Sequence, residues 1–377
     1  MNVLTVNSGS SSVRLAAFAH APPLKSRIDW RDAGTNGVPE AQLRGFVADN
    51  GIDEIGAIAH RIVHGGQRLT STCRIDAEVE AEIARVAVLA PLHNPQALRW
   101  IAACRTVFGD AVPQVAVFDT AFFASLPPAA AAYALPRDLC RRHGIRRYGF
   151  HGIAHRAMWR RWCELSLQER PLLFDGGRTI SLQLGAGCSM AAIERGSARD
   201  TSMGFTALEG LMMATRPGDL DPGLVTFLQR HERLAPEAVE DLLNRRCGLL
   251  GVAGEADMKR LLARDDADAA LAIDMYCRRA RKYVGAYLAV LGGADAILFG
   301  GGVGENAPAI RARILADMQW AGIALDEKRN AAVGTEARIS RADSPVQVWV
   351  VPVDEATILA EEALGILSAD QTRETGQ

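Results

Sequence analysis

Two strand–turn–strand segments, half a chain apart, constrain this 377-residue sequence more than any other feature. The first runs from Val3 to Val6, breaks at Asn7-Ser8-Gly9-Ser10-Ser11-Ser12 and resumes from Val13 to Phe18. The second runs from Ile180 to Leu184, turns through Gly185-Ala186-Gly187-Cys188-Ser189 and returns from Met190 to Ile193. Each reads as a β-hairpin with a tip of small residues. A hairpin opening each half predicts a duplicated architecture, since single hydrophobic cores stop growing near ~250 to 300 residues. The two copies are only loosely alike, and Gly/Ser turns are not rare in a chain with 35 glycines, so the remaining pattern has to agree.

It does agree, because strands alternate with helices on either side of the midpoint. Ala57 to Val63 reads as a strand ending in His64-Gly65-Gly66, and Gln114 to Phe118 as a strand ending at Asp119. Between them a helix is expected to open with Asn94 as N-cap and Pro95 at the first helical position. Further on, Ile273, Tyr276, Ala280, Tyr283, Tyr287 and Leu291 share one helical face, closed by Gly292-Gly293. The strand Ala296 to Phe299 then runs into a glycine-rich turn, Gly300 to Asn306. A helix from about Pro308, a strand from Val346 to Val351 and a terminal helix from about Asp354-Glu355 complete an α/β pattern with central sheets.

Composition removes several function classes. Lys and Arg number 42 against 44 Asp and Glu, a net charge of −2, so no global field draws the chain to nucleic acid or anionic lipid. No stretch approaches the ~18 uninterrupted apolar residues of a membrane span. The opening MNVLTVNSGSSS has no basic region and turns polar where a signal core would continue, which argues against export. Seven cysteines, odd in number and never spaced C-x-x-C, fit reduced thiols. The expectation is a cytoplasmic protein with neither nucleic acid nor membrane as partner.

Chemistry concentrates at the ends of the strands. Small-residue turns let backbone N–H groups approach an anion, and three occur, at residues 7 to 12, 185 to 189 and 300 to 306. None has the spacing of a P-loop or of a dinucleotide fingerprint. Arginines and histidines flanked by Gly, Pro and Asn form a second set: His60-Arg61 with His64-Gly65-Gly66, Pro91-Leu92-His93-Asn94-Pro95, Gly149-Phe150-His151-Gly152 and Thr215-Arg216-Pro217-Gly218-Asp219. Loop-tip histidines of this kind favour a site over a buried core role. Asp119 and Glu355 follow strands, where each could ligate Mg²⁺ or cap a helix.

Taken together with Phe118-Asp119-Thr120-Ala121-Phe122, Asp200-Thr201-Ser202-Met203-Gly204-Phe205-Thr206 and Gly302-Val303-Gly304-Glu305-Asn306, these motifs resemble the successive signatures of the acetate kinase family. They occur in the family's order from residue 7 to residue 355. The resemblance implies an α/β, duplicated actin-like, sugar-kinase-like (ribonuclease H-like) fold of two lobes with a central cleft. It places residues 1–124 and 357–377 in the first lobe and 125–356 in the second. It also implies reversible phosphoryl transfer between ATP/ADP and a short-chain carboxylate, with Mg²⁺ or Mn²⁺, in a homodimer. Arg61 and Arg216 would hold the acid and the migrating phosphoryl, with His151 and His93 beside them and Asp119 orienting an arginine or the metal. Val63, Leu92, Phe150 and Ala207 match the apolar pocket for the acyl methyl. Asn7 and Glu355 would place the metal, while Ser10, Ser12 and Arg14 line the first loop. Gln183, Gly185, Ala186 and Gly187 face the nucleotide phosphates, and Gly301, Gly302, Val303, Gly304 and Asn306 hold adenosine.

Three departures from the family stand out. Gln183-Leu184-Gly185-Ala186-Gly187 stands where His-Leu-Gly-Asn-Gly is usual, Arg14 replaces a lysine, and Ala207 replaces a proline beside the methyl. These keep open propionate or butyrate as the acid and pyrophosphate as the donor. A non-catalytic nucleotide-binding regulator on the same fold is disfavoured by the retention of Arg61, Asp119, His151 and Arg216.

Overall fold

The computed structural model describes residues 2–9, 12–18, 24–29, 38–169 and 173–375. The chain forms two compact units, one made of Met1–Ala124, Phe150–Ile153 and Asp354–Gln377, the other of Ser125–Gly149 and Ala154–Val353.

The first unit is built on a six-stranded sheet. Strand β1 (Val3–Ser8) pairs antiparallel with β2 (Ser12–Phe18), and β2 with β3 (Leu24–Asp29). On its other edge β1 runs parallel to β4 (Ala57–Ile62), β4 runs parallel to β6 (Gln114–Phe118), and the short β5 (Cys73–Arg74) closes the sheet antiparallel to β6. Every residue of β1 and β6 is buried, as expected of central strands covered on both faces. Helices α1 (Pro39–Asp49), α2 (Ala77–Arg85) and α3 (Asn94–Phe108) supply the cover. Leu43 and Phe46 of α1 and Trp100 and Cys104 of α3 pack with Leu4, Val6 and Ile58, while Ile83 of α2 joins Ala97, Ile101, Ile62 and Phe118.

In the second unit the same plan returns strand for strand. Strands β7 (Arg178–Leu184), β8 (Cys188–Glu194) and β9 (Ser197–Thr201) form the antiparallel meander. β7 is parallel to β10 (Ala296–Gly300), and β10 to β12 (Gln347–Val350); β11 (Ala337–Arg338) is the antiparallel edge. The orders β3-β2-β1-β4-β6-β5 and β9-β8-β7-β10-β12-β11 are identical in direction and pairing, so the fold is duplicated as the two hairpins imply. Helix α4 (Gly152–Glu169) sets Met158 and Trp162 against Ala296, Leu298, Trp349 and Val351. Helix α5 (Ala267–Leu291) buries Ile273, Tyr276, Ala280, Tyr287 and Leu291 and stops where Gly292 takes φ 67°. The chain then passes through α6 (Gly301–Asn306) and α7 (Pro308–Leu315). The last helix, α8 (Glu355–Thr375), packs along β1, β4 and β6 of the first unit. Among the described residues no helix is long and apolar enough to cross a membrane.

Two local expectations are corrected. The N-cap of α3 is His93, not Asn94, which lies inside the first turn. Its carboxamide is engaged elsewhere: Oδ1 accepts from the His64 N–H at 3.2 Å, and Nδ2 donates to the carbonyls of His64 and Ile83 at 3.0 and 3.2 Å. Residues 301–306 are helix rather than turn. Glu305 reaches back to accept from the Gly301 N–H at 2.9 Å, which satisfies one of the open donors of a helix start.

Candidate active site

In the first unit the chemistry gathers at the carboxyl ends of the three parallel strands, where an α/β sheet holds its ligands. Asn7 sits at the end of β1, Arg61 at the end of β4, Asp119 just past β6, and Glu355 opens α8. One hydrogen-bonded chain joins them. Arg61 Nη2 and Nε donate to Asp119 Oδ2 at 2.7 and 3.1 Å, Arg61 Nη1 donates to Asn7 Oδ1 at 3.1 Å, and Asn7 Nδ2 donates to Glu355 Oε2 at 2.6 Å. Asp119 is fully buried, and the Arg61 side chain is only 11% exposed. Burial works against the Arg61 charge, but the Asp119 and Glu355 carboxylates outweigh it and raise its pKa. For Asp119, burial pushes the carboxyl up and Arg61 pulls it back. Its Oδ1 is buried and accepts no hydrogen bond.

The neighbouring loops are fixed by their own requirements. Val63 and Phe150 are buried, and Phe150 meets His64 edge to face at 5.4 Å. Leu92 and His93 are half-buried at the start of α3. His151 takes a left-handed backbone with φ 58°, which costs a non-glycine residue roughly 1–2 kcal/mol and is characteristic of a constrained site. A Cβ on the next residue, Gly152, would lie 2.1 Å from the Asp119 carbonyl. His60, although adjacent to Arg61, points into the core: its Nε2 bonds Gln114 Oε1 at 2.7 Å, and burial lowers its pKa to about 4. Arg14 is exposed on β2 and pairs across the hairpin with Asn7. Ser10 and the side chain of Ser12 lie outside the described residues.

The second unit contributes a different arrangement. Gln183 ends β7 half-buried beside Gly301, and Ala186 is exposed at the tip of the β7–β8 turn between Gly185 and Gly187. The Ala186 carbonyl accepts from the Ala214 N–H at 3.1 Å, tying this turn to the loop that carries Arg216. Arg216 Nη1 donates to the Ala207 carbonyl at 2.8 Å. Among the described residues no carboxylate pairs with Arg216, and burial lowers its pKa. In α6, Gly301 and Gly304 are buried, Val303 is half-buried, and Gly302 and Asn306 are exposed.

Two buried residues that the motifs did not single out support this unit. Arg311 of α7 donates to the Gly304 and Glu305 carbonyls at 2.8 and 2.9 Å, holding the C-terminal end of α6. His155 of α4 bridges Ser181 and Ser189, one on each arm of the β7–β8 hairpin, at 2.5 and 2.8 Å. Their signal in the sequence is only an arginine and a histidine within helices.

Among the described residues no three His, Cys, Asp or Glu side chains cluster tightly enough to hold a metal ion alone. The orphaned Asp119 Oδ1 and the Glu355 carboxylate still fit Mg²⁺, which is commonly bound by one or two carboxylates together with substrate phosphates and water.

The chain is similar to known proteins over most of its length. The profile of the Acetokinase family matches residues 36–361. An acetate kinase of Solibacter usitatus is 46% identical over 343 residues, covering 89% of this chain and 80% of that protein. Among solved structures, Porphyromonas gingivalis acetate kinase superimposes with a TM-score of 0.84 at 36% identity, covering 97% of this chain and 99% of that one. A propionate kinase from Francisella tularensis superimposes with a TM-score of 0.87 at 32% identity, over the same shares of the two chains. With the profile spanning most of the chain and both units reproduced, the chain belongs to the acetokinase family.

Proposed function

We propose that this chain is an acetate kinase, transferring the γ-phosphoryl group of ATP to acetate to give acetyl phosphate and ADP, and running in reverse. The observation that carries the reading is the Asn7–Arg61–Asp119–Glu355 network at the strand ends of an acetokinase-family chain. Acetate is ionised at neutral pH, with an ordinary carboxylic pKa near ~4.5, so the acceptor needs no general base. A carboxylate oxygen attacks the γ-phosphorus, and the bond to the ADP oxygen breaks in line. The remaining obstacle is repulsion between an anion and a polyanion, which fixed cations offset.

In this reading Arg216 and Arg61 supply those cations, and His151 and His93 donate to the phosphoryl oxygens. Asp119 Oδ2 accepts from both Nε and Nη2 of Arg61, which sets the direction of the remaining guanidinium N–H groups. Glu355, Asn7 and Asp119 would hold Mg²⁺, which neutralises phosphate charge when bound. The family resemblance assigns Val63, Leu92 and Phe150 of the first unit and Ala207 of the second to the acyl methyl. The family resemblance assigns Gln183, Gly185, Ala186 and Gly187, and separately Ser10, Ser12 and Arg14, to the nucleotide phosphates, and Gly301 to Asn306 to adenosine. We assign the protein to the cytoplasm and to a homodimer on family grounds.

The test is hydroxylamine trapping of acyl phosphate across a panel of acids and donors. Acetyl hydroxamate formed with ATP supports the reading; a folded protein that forms none with any acid and either ATP or pyrophosphate overturns it. Propionate is the second reading, favoured by Ala207, where family members usually carry proline.

A further inference from the structure

Arg216 is held to the protein by its bond to the Ala207 carbonyl, so the place of its guanidinium depends on what fixes residues 203–209. That segment has no regular secondary structure. It is held instead by three half-buried side chains drawn from three separate stretches of the second unit: Tyr133, Arg147 and Glu209. Glu209 accepts from the Tyr133 hydroxyl on Oε2 and from Arg147 Nη2 on Oε1, the latter at 2.5 Å. The Tyr133 oxygen in turn accepts from the Phe205 N–H at 2.9 Å. Arg147 Nη1 spreads over the carbonyls of Thr201, Ser202 and Met203 at 3.2, 3.4 and 3.2 Å, and its guanidinium lies 5.6 Å from the centre of the Tyr133 ring. Backbone bonds extend the same clamp. The Gly204 carbonyl accepts from the N–H groups of Tyr148 and Gly149 at 3.0 and 3.4 Å.

The fit leaves no slack. A Cβ at position 204 would come within 1.7 Å of Glu209 Oε2 and 2.0 Å of the Tyr133 oxygen, so a larger residue there would have to displace the cluster. Burial, reinforced by Glu209, raises the Tyr133 pKa, so the phenol stays a donor through neutral pH.

We infer that Tyr133, Arg147 and Glu209 are positioning residues for the transfer reaction. Through Phe205 and Ala207 they set the place of the Arg216 guanidinium and of the apolar surface beside it. The inference rests on the reading of this chain as an acetate kinase. A displacement near ~1 Å at such a group can cost about 10²-fold in rate. The effect falls on turnover and on use of the acid while nucleotide binding is spared, since none of the three bonds α6 or the β7–β8 turn.

The test uses the full-length protein in the hydroxamate assay, varying acetate and ATP separately, with melting temperature measured in parallel. Tyr133→Phe deletes one oxygen that both donates to Glu209 and accepts from Phe205. It should lower kcat/KM for acetate by about 10-fold or more. The KM for ATP should stay within about twofold, because the nucleotide groups are untouched. Glu209→Ala should be worse, and Glu209→Gln should recover part of the loss because it keeps an oxygen for one of the two donors. If Glu209→Ala fails to fold, Tyr133→Phe still decides. An acetate kcat/KM unchanged in Tyr133→Phe, or an ATP KM raised by more than about twofold, overturns the inference and leaves the acetate kinase reading standing. A wild-type protein that makes no acyl phosphate overturns both.

Discussion

Arg61 in the first unit and Arg216 in the second are both withdrawn from water, but they are held in opposite ways. Arg61 is matched by a buried carboxylate at 2.7 Å and by Asn7, so its charge is balanced before any ligand arrives. Arg216 has one carbonyl contact and, among the described residues, no carboxylate partner, so burial depresses its pKa. A desolvated cation without a counterion destabilises the native state, whereas a buried pair becomes costly only when one partner is removed. The first unit therefore has a network whose charges balance within the fold, and the second has a cation whose charge an anionic ligand would balance.

The largest effect expected from this contrast is in Arg61→Ala. It leaves Asp119 buried and unpaired, which costs about 3–5 kcal/mol of stability, and it abolishes transfer as well. Arg216→Ala should lose about 10²- to 10³-fold in turnover, the scale for one transition-state contact. Its stability should match or exceed that of the wild type, because the charge it removes is uncompensated. Urea unfolding of both variants, alongside the hydroxamate assay, checks the contrast. Equal destabilisation by the two substitutions would break it. Arg61→Lys sharpens the point, because an ammonium cannot reproduce the fork to Asp119 with the third bond to Asn7.

His60 of the first unit and His155 of the second are both buried, and here the two units behave alike. Burial lowers His60 to about 4 and His155 to about 3, against an ordinary value of 6.5. Since the folded pKa is the lower one, the unfolded chain binds protons that the native state refuses as pH falls below 6.5. Stability from these groups is complete above that value and is lost on acidification toward pH 4 and 3. At pH 5 the expected loss is about 2 kcal/mol for each histidine. Denaturant unfolding at pH 7 and pH 5 measures it. His60→Gln and His155→Gln should each flatten the profile; an unchanged slope in either would mean that its imidazole is not the proton acceptor.

What was legible in the sequence follows from how local each signal is. β1, β4, β6, β7 and β10 could be read because apolar runs ended in Gly, Ser or Asp, and Gly292 marked the end of α5 because a left-handed C-cap has a strong residue preference. The edge strands β5 and β11 have no signature in the sequence, because each is two residues long and only its partner defines it. The Gly300–Asn306 segment looked like a turn because glycines dominate it, and its helix depends on Glu305 returning to the Gly301 N–H. Asn94 looked like a cap because Pro95 follows it, yet its carboxamide is committed to His64, 30 residues away. The motifs supplied Arg61, Asp119 and Arg216. They could not supply the Tyr133–Glu209 contact, which spans 76 residues and has no spacing signature.

The β7–β8 turn offers a smaller test. Ala186 is exposed at its tip and holds the Arg216 loop only through its backbone carbonyl, so Ala186→Asn adds a polar group without breaking that bond. We expect a several-fold lower KM for ATP, on the scale of about 1 kcal/mol for one added hydrogen bond, and an unchanged KM for acetate. A change confined to acetate would assign the turn to the acid instead of the nucleotide.

The smallest effect belongs to Ala207, whose carbonyl supports Arg216 and whose side chain the proposed function sets against the acyl chain. Its carbonyl holds Arg216, and a proline keeps that carbonyl, so Ala207→Pro should leave Arg216 in place. Proline adds roughly two methylene-sized groups beside the substrate methyl, and each buried methylene is worth about 0.8 kcal/mol, close to fourfold in a rate ratio. Alanine leaves that space for one more carbon, so the wild type should use propionate with a kcat/KM at least comparable to that for acetate. Ala207→Pro should shift the ratio toward acetate by about fourfold, with the ATP KM unmoved. The ring also restricts Thr206 to extended conformations, so part of the gain could be lost if residues 205–206 move. Melting temperature and the ATP KM register that movement separately. Rejection of propionate by tenfold or more in the wild type would show that position 207 supports Arg216 without contacting the acyl chain.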